Sequence, residues 1–124
     1  STSLDLAAME GASFTTHYFR DEPNSALRDW RARYEDRYLV EPDGLAVLSY
    51  DAADLLLTAI SETGVSDPFL VARTLESLAY EGLSGTMVFD TQHDPVKSMV
   101  VLRVEGGQVR YDGRFDASYP EVVE

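Results

Sequence analysis

The order of its segments predicts an α/β fold for this chain, with one strand, three helices and then C-terminal strands that end in a hairpin. Gly11–Phe19 is rich in Phe, Thr and Tyr, which favour strands. Apolar residues then recur at helical spacings up to about Tyr80. Beyond Gly82 the pattern changes to short apolar runs separated by turn residues, which is typical of strands.

The first predicted helix follows a polar turn at residues 21–25 that supplies an N-cap. Its apolar side is largely aromatic, and charged residues fill the other side. The residues of the apolar side are Leu27, Trp30, Tyr34 and Tyr38. The three aromatic side chains could form a platform for a ligand, but their helical spacing is what core packing requires, so core packing is the better interpretation. A Pro-Asp-Gly sequence at residues 42–44 ends this helix.

Leu45–Thr63 predicts a second helix that is apolar nearly all round, so we expect it to be covered on more than one side. Gly64 supplies its C-terminal stop. A third helix is expected to begin after Asp67, with Pro68 at its first position, and to run to about Tyr80. Its expected inward residues are Leu70, Leu75, Leu78 and Ala79.

Gly106 and Gly107 predict a two-residue hairpin loop in the C-terminal strands. The register that this loop imposes pairs Val104 with Val109 and Leu102 with Tyr111. We expect residues 1–117 to form a single α/β domain and residues 118–124 to be a tail.

The net charge of −12 argues against nucleic acid as a partner, because binding to phosphates needs clustered Lys and Arg. No cysteine is present, which excludes disulfides and thiolate metal sites. The apolar runs are shorter than the ~20 residues that span a bilayer. The chain starts at Ser1 without Met or a leader sequence, which is expected of a processed or partial chain.

His93 lies between Asp90 and Asp94 in a polar turn, the arrangement that most resembles a chemical site. Asp-x-x-His-Asp is not a recognised metal-binding spacing, and the other histidine, His17, is distant in sequence. Histidine is among the few non-glycine residues that adopt a positive φ with any frequency. We therefore predict that His93 occupies a turn position with positive φ, and we expect no metal and no cofactor.

Asp51 and Asp54 lie three residues apart on the second helix, a spacing that would suit paired catalytic carboxylates. Exposed carboxylates in the first turns of a helix are commoner and are favoured by the helix dipole. We therefore expect both to face solvent. The chain has no phosphate-binding loop, nucleophile elbow or HExxH sequence. The sequence gives no catalytic residue and predicts a protein that is not an enzyme.

Four segments between Met9 and Tyr111 form a recognisable series. They are Met9-Glu10-Gly11 with a strand ending at Tyr18, an aromatic helix ending at Tyr34 and Tyr38 before Pro42, Tyr50-Asp51-Ala52 opening an apolar helix, and Gly82-Leu83-Ser84-Gly85 leading to Val88-Phe89-Asp90. In order and spacing they resemble type I periplasmic solute-binding proteins, in the leucine/branched-chain amino-acid-binding family of ABC transporters. Two positions differ, since His93 stands where the family usually has Gly, and Tyr80-Glu81 stands where it has an aromatic residue near Gly82.

The resemblance implies that the chain is a partial type I lobe, corresponding to the C-terminal part of a bilobal protein. Such a protein captures an amino acid or similar small polar solute in the periplasm or outside the cell and delivers it to an ABC permease in the membrane. Tyr18 would close the hinge strand at the rim of the interlobe cleft, where it would border the ligand. Packing of Tyr18 against the helices is an equally good interpretation.

An alternative from another class is a free-standing α/β sensor or protein-interaction domain, in which the motifs are only structural. In either case the three helices have little sheet to cover them. We therefore expect a two-fold homodimer in which the copies exchange strands or helices.

Overall fold

The computed structural model describes residues 5–116, so the predicted tail at residues 118–124 lies outside the described residues. A short 3-10 helix at Leu6–Met9 opens this range. The α-helices that follow are α1 (Ser25–Tyr38), α2 (Gly44–Thr63) and α3 (Pro68–Ser77). The strands are β1 (Ser13–Thr16), β2 (Tyr80–Gly82), β3 (Gly85–Phe89), β4 (Pro95–Lys97), β5 (Met99–Glu105) and β6 (Gln108–Phe115). The predicted order of strand, three helices and strands is confirmed.

Each α-helix begins at a side chain that accepts hydrogen bonds from free N–H groups of the first turn. These capping residues are Asn24, Asp43 and Asp67. Gly64 ends α2 with a φ of 73°, as the sequence predicts. Helix α3 ends at Ser77 rather than near Tyr80, because Tyr80 pairs with Met87 as the first residue of β2.

The strands form two antiparallel sheets of three strands each, in the orders β1-β5-β6 and β2-β3-β4. The hairpin between β5 and β6 has the predicted register, with Val104 opposite Val109 and Leu102 opposite Tyr111. Strand β1 lies at the edge of its sheet and is shorter than predicted. The buried core of this sheet comes from alternate residues of β5, namely Val100, Leu102 and Val104.

Helix α2 buries a single row of residues, spaced four apart, and not several sides as expected. The row consists of Val47, Asp51, Leu55 and Ala59. Leu45 is 73% exposed and Leu57 is 64% exposed, because α2 packs mainly on α3 and β2. Within residues 5–116 the other apolar sides of α2 therefore remain uncovered.

Helix α2 is also, among the described residues, the one helix that could cross a membrane by length and composition, with a mean hydropathy of 1.3. By this measure the expectation that every apolar run is too short is wrong, although α2 also contains the carboxylates of Asp51, Asp54 and Glu62. The composition is weak evidence for a membrane, since core helices of soluble proteins share it.

The inward side of α3 differs from the prediction at two positions. Val71 is buried, whereas Leu70 is 46% exposed and Ala79 lies exposed in the connection to β2. Leu75 and Leu78 are half-buried. The buried row therefore starts at Val71 and continues four and seven residues later, as helical geometry requires.

Candidate functional site

Tyr18, the predicted ligand-bordering residue, lies just after β1 and contacts the helices. Its hydroxyl donates a hydrogen bond to the carbonyl oxygen of Pro42 at 3.4 Å. Its ring packs against the cluster of Leu27, Trp30 and Val47 that joins α1 to α2. Burial raises the pKa of the Tyr18 hydroxyl, because the phenolate would lose hydration. These contacts match the packing interpretation, and the role at a ligand stays a prediction.

Asp51 is buried, so the expectation that it faces solvent is wrong. Its side chain accepts hydrogen bonds from the backbone N–H groups of Leu83 at 2.8 Å and Ser84 at 2.9 Å. The Ser84 hydroxyl donates a further short hydrogen bond to the same carboxylate. The residue is only 4% exposed. Asp51 therefore holds the turn between β2 and β3 against α2.

Gly82 makes the close approach of this turn possible. A Cβ atom added at Gly82 would lie 2.6 Å from Cγ of Asp51, a distance that real contacts do not allow. The signal for a buried Asp51 was present in the sequence, because Asp51 lies four residues from both Val47 and Leu55 in an apolar row.

Asp54 has a different partner, so the two carboxylates do not form one site. The Tyr80 hydroxyl donates a hydrogen bond to Asp54 at 2.9 Å. Burial and this hydrogen bond raise the pKa of Tyr80, so its hydroxyl stays protonated at neutral pH. Asp54 thus ties α2 to the start of β2.

Lys97 of β4 completes the polar cluster around Asp51. Its ammonium group donates a hydrogen bond to the hydroxyl oxygen of Ser84 at 2.5 Å. Ser84 is 1% exposed and bridges the Lys97 cation and the Asp51 carboxylate. Burial lowers the pKa of Lys97, while the negative charge of Asp51 opposes that shift.

Arg114 of β6 joins the two sheets. Its Nε and Nη2 atoms each donate a hydrogen bond at 2.6 Å to the carboxylate of Glu22, which precedes α1. Its Nη1 atom donates to the carbonyl oxygen of Ser84 at 2.9 Å. The side chains of Arg114 and Glu22 are 13% and 5% exposed. Sequence reasoning missed this pair, because its members are 92 residues apart and no local spacing marks them.

Glu10, in the segment that resembles the family's hinge strand, binds the hairpin loop. Its two carboxylate oxygens accept the N–H groups of Gly106 at 2.9 Å and Gly107 at 3.2 Å. These bonds lower the pKa of Glu10. Sequence reasoning gave Glu10 no role, although two glycines in a tight loop leave N–H groups free for a nearby carboxylate.

His93 has a φ of 68°, which confirms the predicted turn conformation. The Asp90 carboxylate accepts the N–H groups of Gln92 at 2.8 Å and Asp94 at 2.9 Å. His93 itself is exposed, and its Nε2 atom lies 3.1 Å from a carboxylate oxygen of Glu76. Within residues 5–116 no three His, Cys, Asp or Glu side chains are grouped to hold a metal ion.

The predicted aromatic side of α1 faces an open groove of about 650 Å³ against α2. We call it the aromatic–arginine groove, and its main residues are Trp30, Arg33, Tyr34, Arg37, Tyr38 and Tyr50. The prediction of core packing is correct for Trp30, which is 7% exposed, and wrong for Tyr38, which is 55% exposed. The difference arises because Tyr38 is the last residue of α1.

Comparison with known proteins places the chain in a family. A family profile described as "Periplasmic binding protein" matches residues 1–108. The chain belongs to this family. No curated protein sequence was found to match it.

Solved structures of the family share the fold. Leucine-binding protein LivK from Thermotoga maritima MSB8 is 33% identical with a TM-score of 0.65, and the match covers 88% of this chain and 32% of LivK. An ABC transporter substrate-binding protein from Desulfitobacterium hafniense, in complex with Leu, is 24% identical with a TM-score of 0.66, covering 87% of this chain and 33% of that one. A solute-binding protein of an ABC transporter from Rhodopseudomonas palustris BisB5, in complex with 3,4-dihydroxybenzoic acid, is 22% identical with a TM-score of 0.74. The match covers 92% of this chain and 33% of that one.

The predicted resemblance to type I periplasmic binding proteins of the leucine/branched-chain amino-acid group is thus confirmed. The chain spans about a third of the length of these relatives. In three dimensions two of the recognised segments meet directly, because Asp51 of the Tyr-Asp-Ala segment binds the turn at Leu83 and Ser84.

Proposed function

We propose that the chain is the C-terminal part of an extracytoplasmic solute-binding component of an ABC importer, and that the complete protein binds amino acids or similar small polar solutes. The observation that carries this proposal is the family match over residues 1–108, together with a chain that spans about a third of its relatives. In the complete protein two lobes would close about hinge strands around the solute.

The contacts around the polar side chains support a framework role for this part. The carboxylates of Asp51 and Glu22 are buried and bound by groups of the same chain. Release of either from its partners would leave a buried charge unpaired, which costs several kcal/mol. Most of the groups that recognise a solute would therefore come from the rest of a family-length protein, and Tyr18 would border the solute at the cleft rim.

The remaining assignments follow from the same proposal. The complete protein would work in the periplasm or outside the cell, held near the membrane by its ABC permease. Its role would be binding rather than catalysis, without a cofactor. A free-standing α/β sensor or protein-interaction domain remains the alternative, and the length of the encoded polypeptide discriminates between them. A long reading frame with an upstream α/β half supports the importer component, and a short one refutes it.

Calorimetric titration tests the binding function. The chain alone is expected to bind leucine and valine weakly or not at all, since most of the cleft would lie outside it. The complete encoded protein is expected to bind a small polar solute with micromolar affinity or better. Micromolar binding by the chain alone, or no solute binding by the complete protein, would contradict the proposal.

Tyr18→Phe in the complete protein tests the cleft-rim assignment. We expect weaker solute binding with a loss of about 1 kcal/mol or less in the free energy of unfolding, since one hydrogen bond is removed. Tyr80→Phe is the matched control, because it also deletes a bonded hydroxyl but at the start of β2. Equal solute affinity in the two variants would show that Tyr18 has only a packing role.

We also propose that the isolated chain forms a two-fold homodimer. Leu45 and Leu56 lie on one side of α2 and are 73% and 46% exposed, and Phe69 at the start of α3 is 69% exposed. Strand β1 has an unpaired edge within the described residues. Exposed apolar surface and open strand edges favour association, and a second copy of the chain would cover both.

A further inference from the structure

Trp30 of the aromatic–arginine groove packs in the core, whereas the exposed side chains of the groove have no role in the proposed function. The ring centroids of Trp30 and Tyr50 are 5.3 Å apart, and those of Tyr34 and Tyr38 are 4.6 Å apart. These rings form a continuous aromatic surface across α1 and α2. Tyr38 and Tyr50 are 55% and 41% exposed, so this surface is open to a ligand within residues 5–116.

Neither arginine of the groove has a carboxylate partner within residues 5–116, although the Arg37 guanidinium lies over the Tyr38 ring, with Cζ 5.7 Å from the ring centroid. Within residues 5–116, six of the ten Lys and Arg residues form ion pairs with carboxylates, namely Arg20, Arg28, Arg31, Arg103, Arg110 and Arg114. Arg33 and Arg37 form no ion pair or hydrogen bond within residues 5–116, although the chain carries a net charge of −12. Residues four apart on a helix have Cβ atoms about 5–6 Å apart, so both guanidinium groups can reach one anion.

We infer that the aromatic–arginine groove binds an aromatic carboxylate. The planar ring of such a ligand would pack on the exposed part of Tyr38 or of Tyr50, since aromatic pairs attract at the separations seen in this cluster. Its carboxylate would accept hydrogen bonds from Arg33 or Arg37, whose planar guanidinium groups match carboxylate geometry. The groove volume of about 650 Å³ lies in the range of small-molecule sites, roughly 300–1,000 Å³.

Two features distinguish this ligand class from others. A cation would meet the positive charges of Arg33 and Arg37, and a small inorganic anion would leave the aromatic surface uncovered. The inference goes beyond the proposed solute binding, because every described residue that lines the groove belongs to α1 or α2.

The fluorescence of Trp30 provides a direct test, because Trp30 is the only tryptophan of the chain and lies in the groove. Benzoate is the probe, benzamide is its uncharged counterpart, and acetate is an anion without a ring. We expect benzoate to change the Trp30 emission saturably. Benzamide and acetate should each bind at least ~10-fold more weakly, since each lacks one of the two interactions.

Substitutions identify the groove as the site. The double variant Arg33→Gln/Arg37→Gln should weaken benzoate binding about tenfold or more, because the charge-assisted hydrogen bonds are lost. Arg73→Gln is the matched control, since Arg73 is an exposed arginine on α3 without an ion pair in the described part. All three side chains are exposed, so circular dichroism should show unchanged folding. An unsaturable signal, equal responses to benzoate and benzamide or acetate, or unchanged binding in the double variant would overturn the inference.

Discussion

Replacing Asp51 by Ala tests whether one buried carboxylate holds the turn between β2 and β3. The substitution leaves two backbone donors, the N–H groups of Leu83 and Ser84, without an acceptor in a site that is 4% exposed. Each buried unsatisfied donor costs about 1–3 kcal/mol. The Lys97 ammonium also loses the negative charge that opposes its desolvation.

The expected loss in the free energy of unfolding is about 4 kcal/mol, within the roughly 3–5 kcal/mol that removal of one buried charged partner costs. Adding the costs of the two unsatisfied donors and of the Lys97 charge gives a larger value, but water that enters the space of the removed side chain will bind some of the donors. Domains of this size have total stabilities of roughly 5–15 kcal/mol, so the variant should be close to unfolding.

Urea unfolding followed by circular dichroism measures this loss as a shift of the midpoint at constant m-value. Asp51→Asn is the second variant, and it should lose less because one acceptor oxygen remains. Asp36→Asn is the control, since Asp36 is exposed and forms no ion pair within residues 5–116, and it should change stability by less than about 0.5 kcal/mol. A loss below about 1 kcal/mol for Asp51→Ala would refute the assigned role, because exposed carboxylates contribute that little.

Three further predictions concern single positions and assembly. His93→Gly should be neutral or slightly stabilising, since Gly relieves about 1 kcal/mol of strain at positive φ at some entropic cost, and a loss of several kcal/mol in urea unfolding would contradict this. Tyr80→Phe should lower the free energy of unfolding by about 1 kcal/mol at neutral pH, because the hydrogen bond to Asp54 is lost. The pKa of Tyr80 in the folded protein is raised above its ordinary value of 10.0, so the stabilisation by its hydroxyl is complete below about pH 10 and is lost as the pH rises further. Tyr80→Phe should therefore reduce the fall of the free energy of unfolding above about pH 10. The same slope in the variant and the unsubstituted protein would contradict this prediction. Sedimentation at micromolar concentration should show a dimer. A monomer that unfolds cooperatively on heating would contradict this prediction, because it would mean that a single chain buries its own core.

Features with local causes could be predicted from the sequence. Gly64 ends α2 and Pro68 begins α3 at the predicted residues, because caps depend on a few neighbouring positions. The hairpin register follows from the two-residue loop at Gly106 and Gly107. His93 adopts the positive φ expected of a residue that replaces glycine in a turn.

Features with distant partners could not be predicted in the same way. Glu22 and Arg114 are bound across 92 residues, and either could have been an ordinary surface charge in the sequence. A carboxylate near a helix start is usually exposed, and this general tendency predicts the wrong location for Asp51. The position of Asp51 in an apolar row predicts its burial better than its charge does, because helical spacing aligns it with Val47 and Leu55 on the buried face.

The charged side chains that stabilise the fold differ from those proposed to bind a ligand. Glu22 and Asp51, the buried carboxylates of the described residues, are both engaged in joining helices, turns and sheets. A solute that competed for them would have to leave their partners buried and unpaired, which is unfavourable. The chain's contribution to a complete solute-binding protein is therefore expected to be a rigid framework for the hinge. Arg33 and Arg37, which have no carboxylate partner within residues 5–116, lie instead on α1, where the proposed aromatic anion would reach them without disturbing that framework.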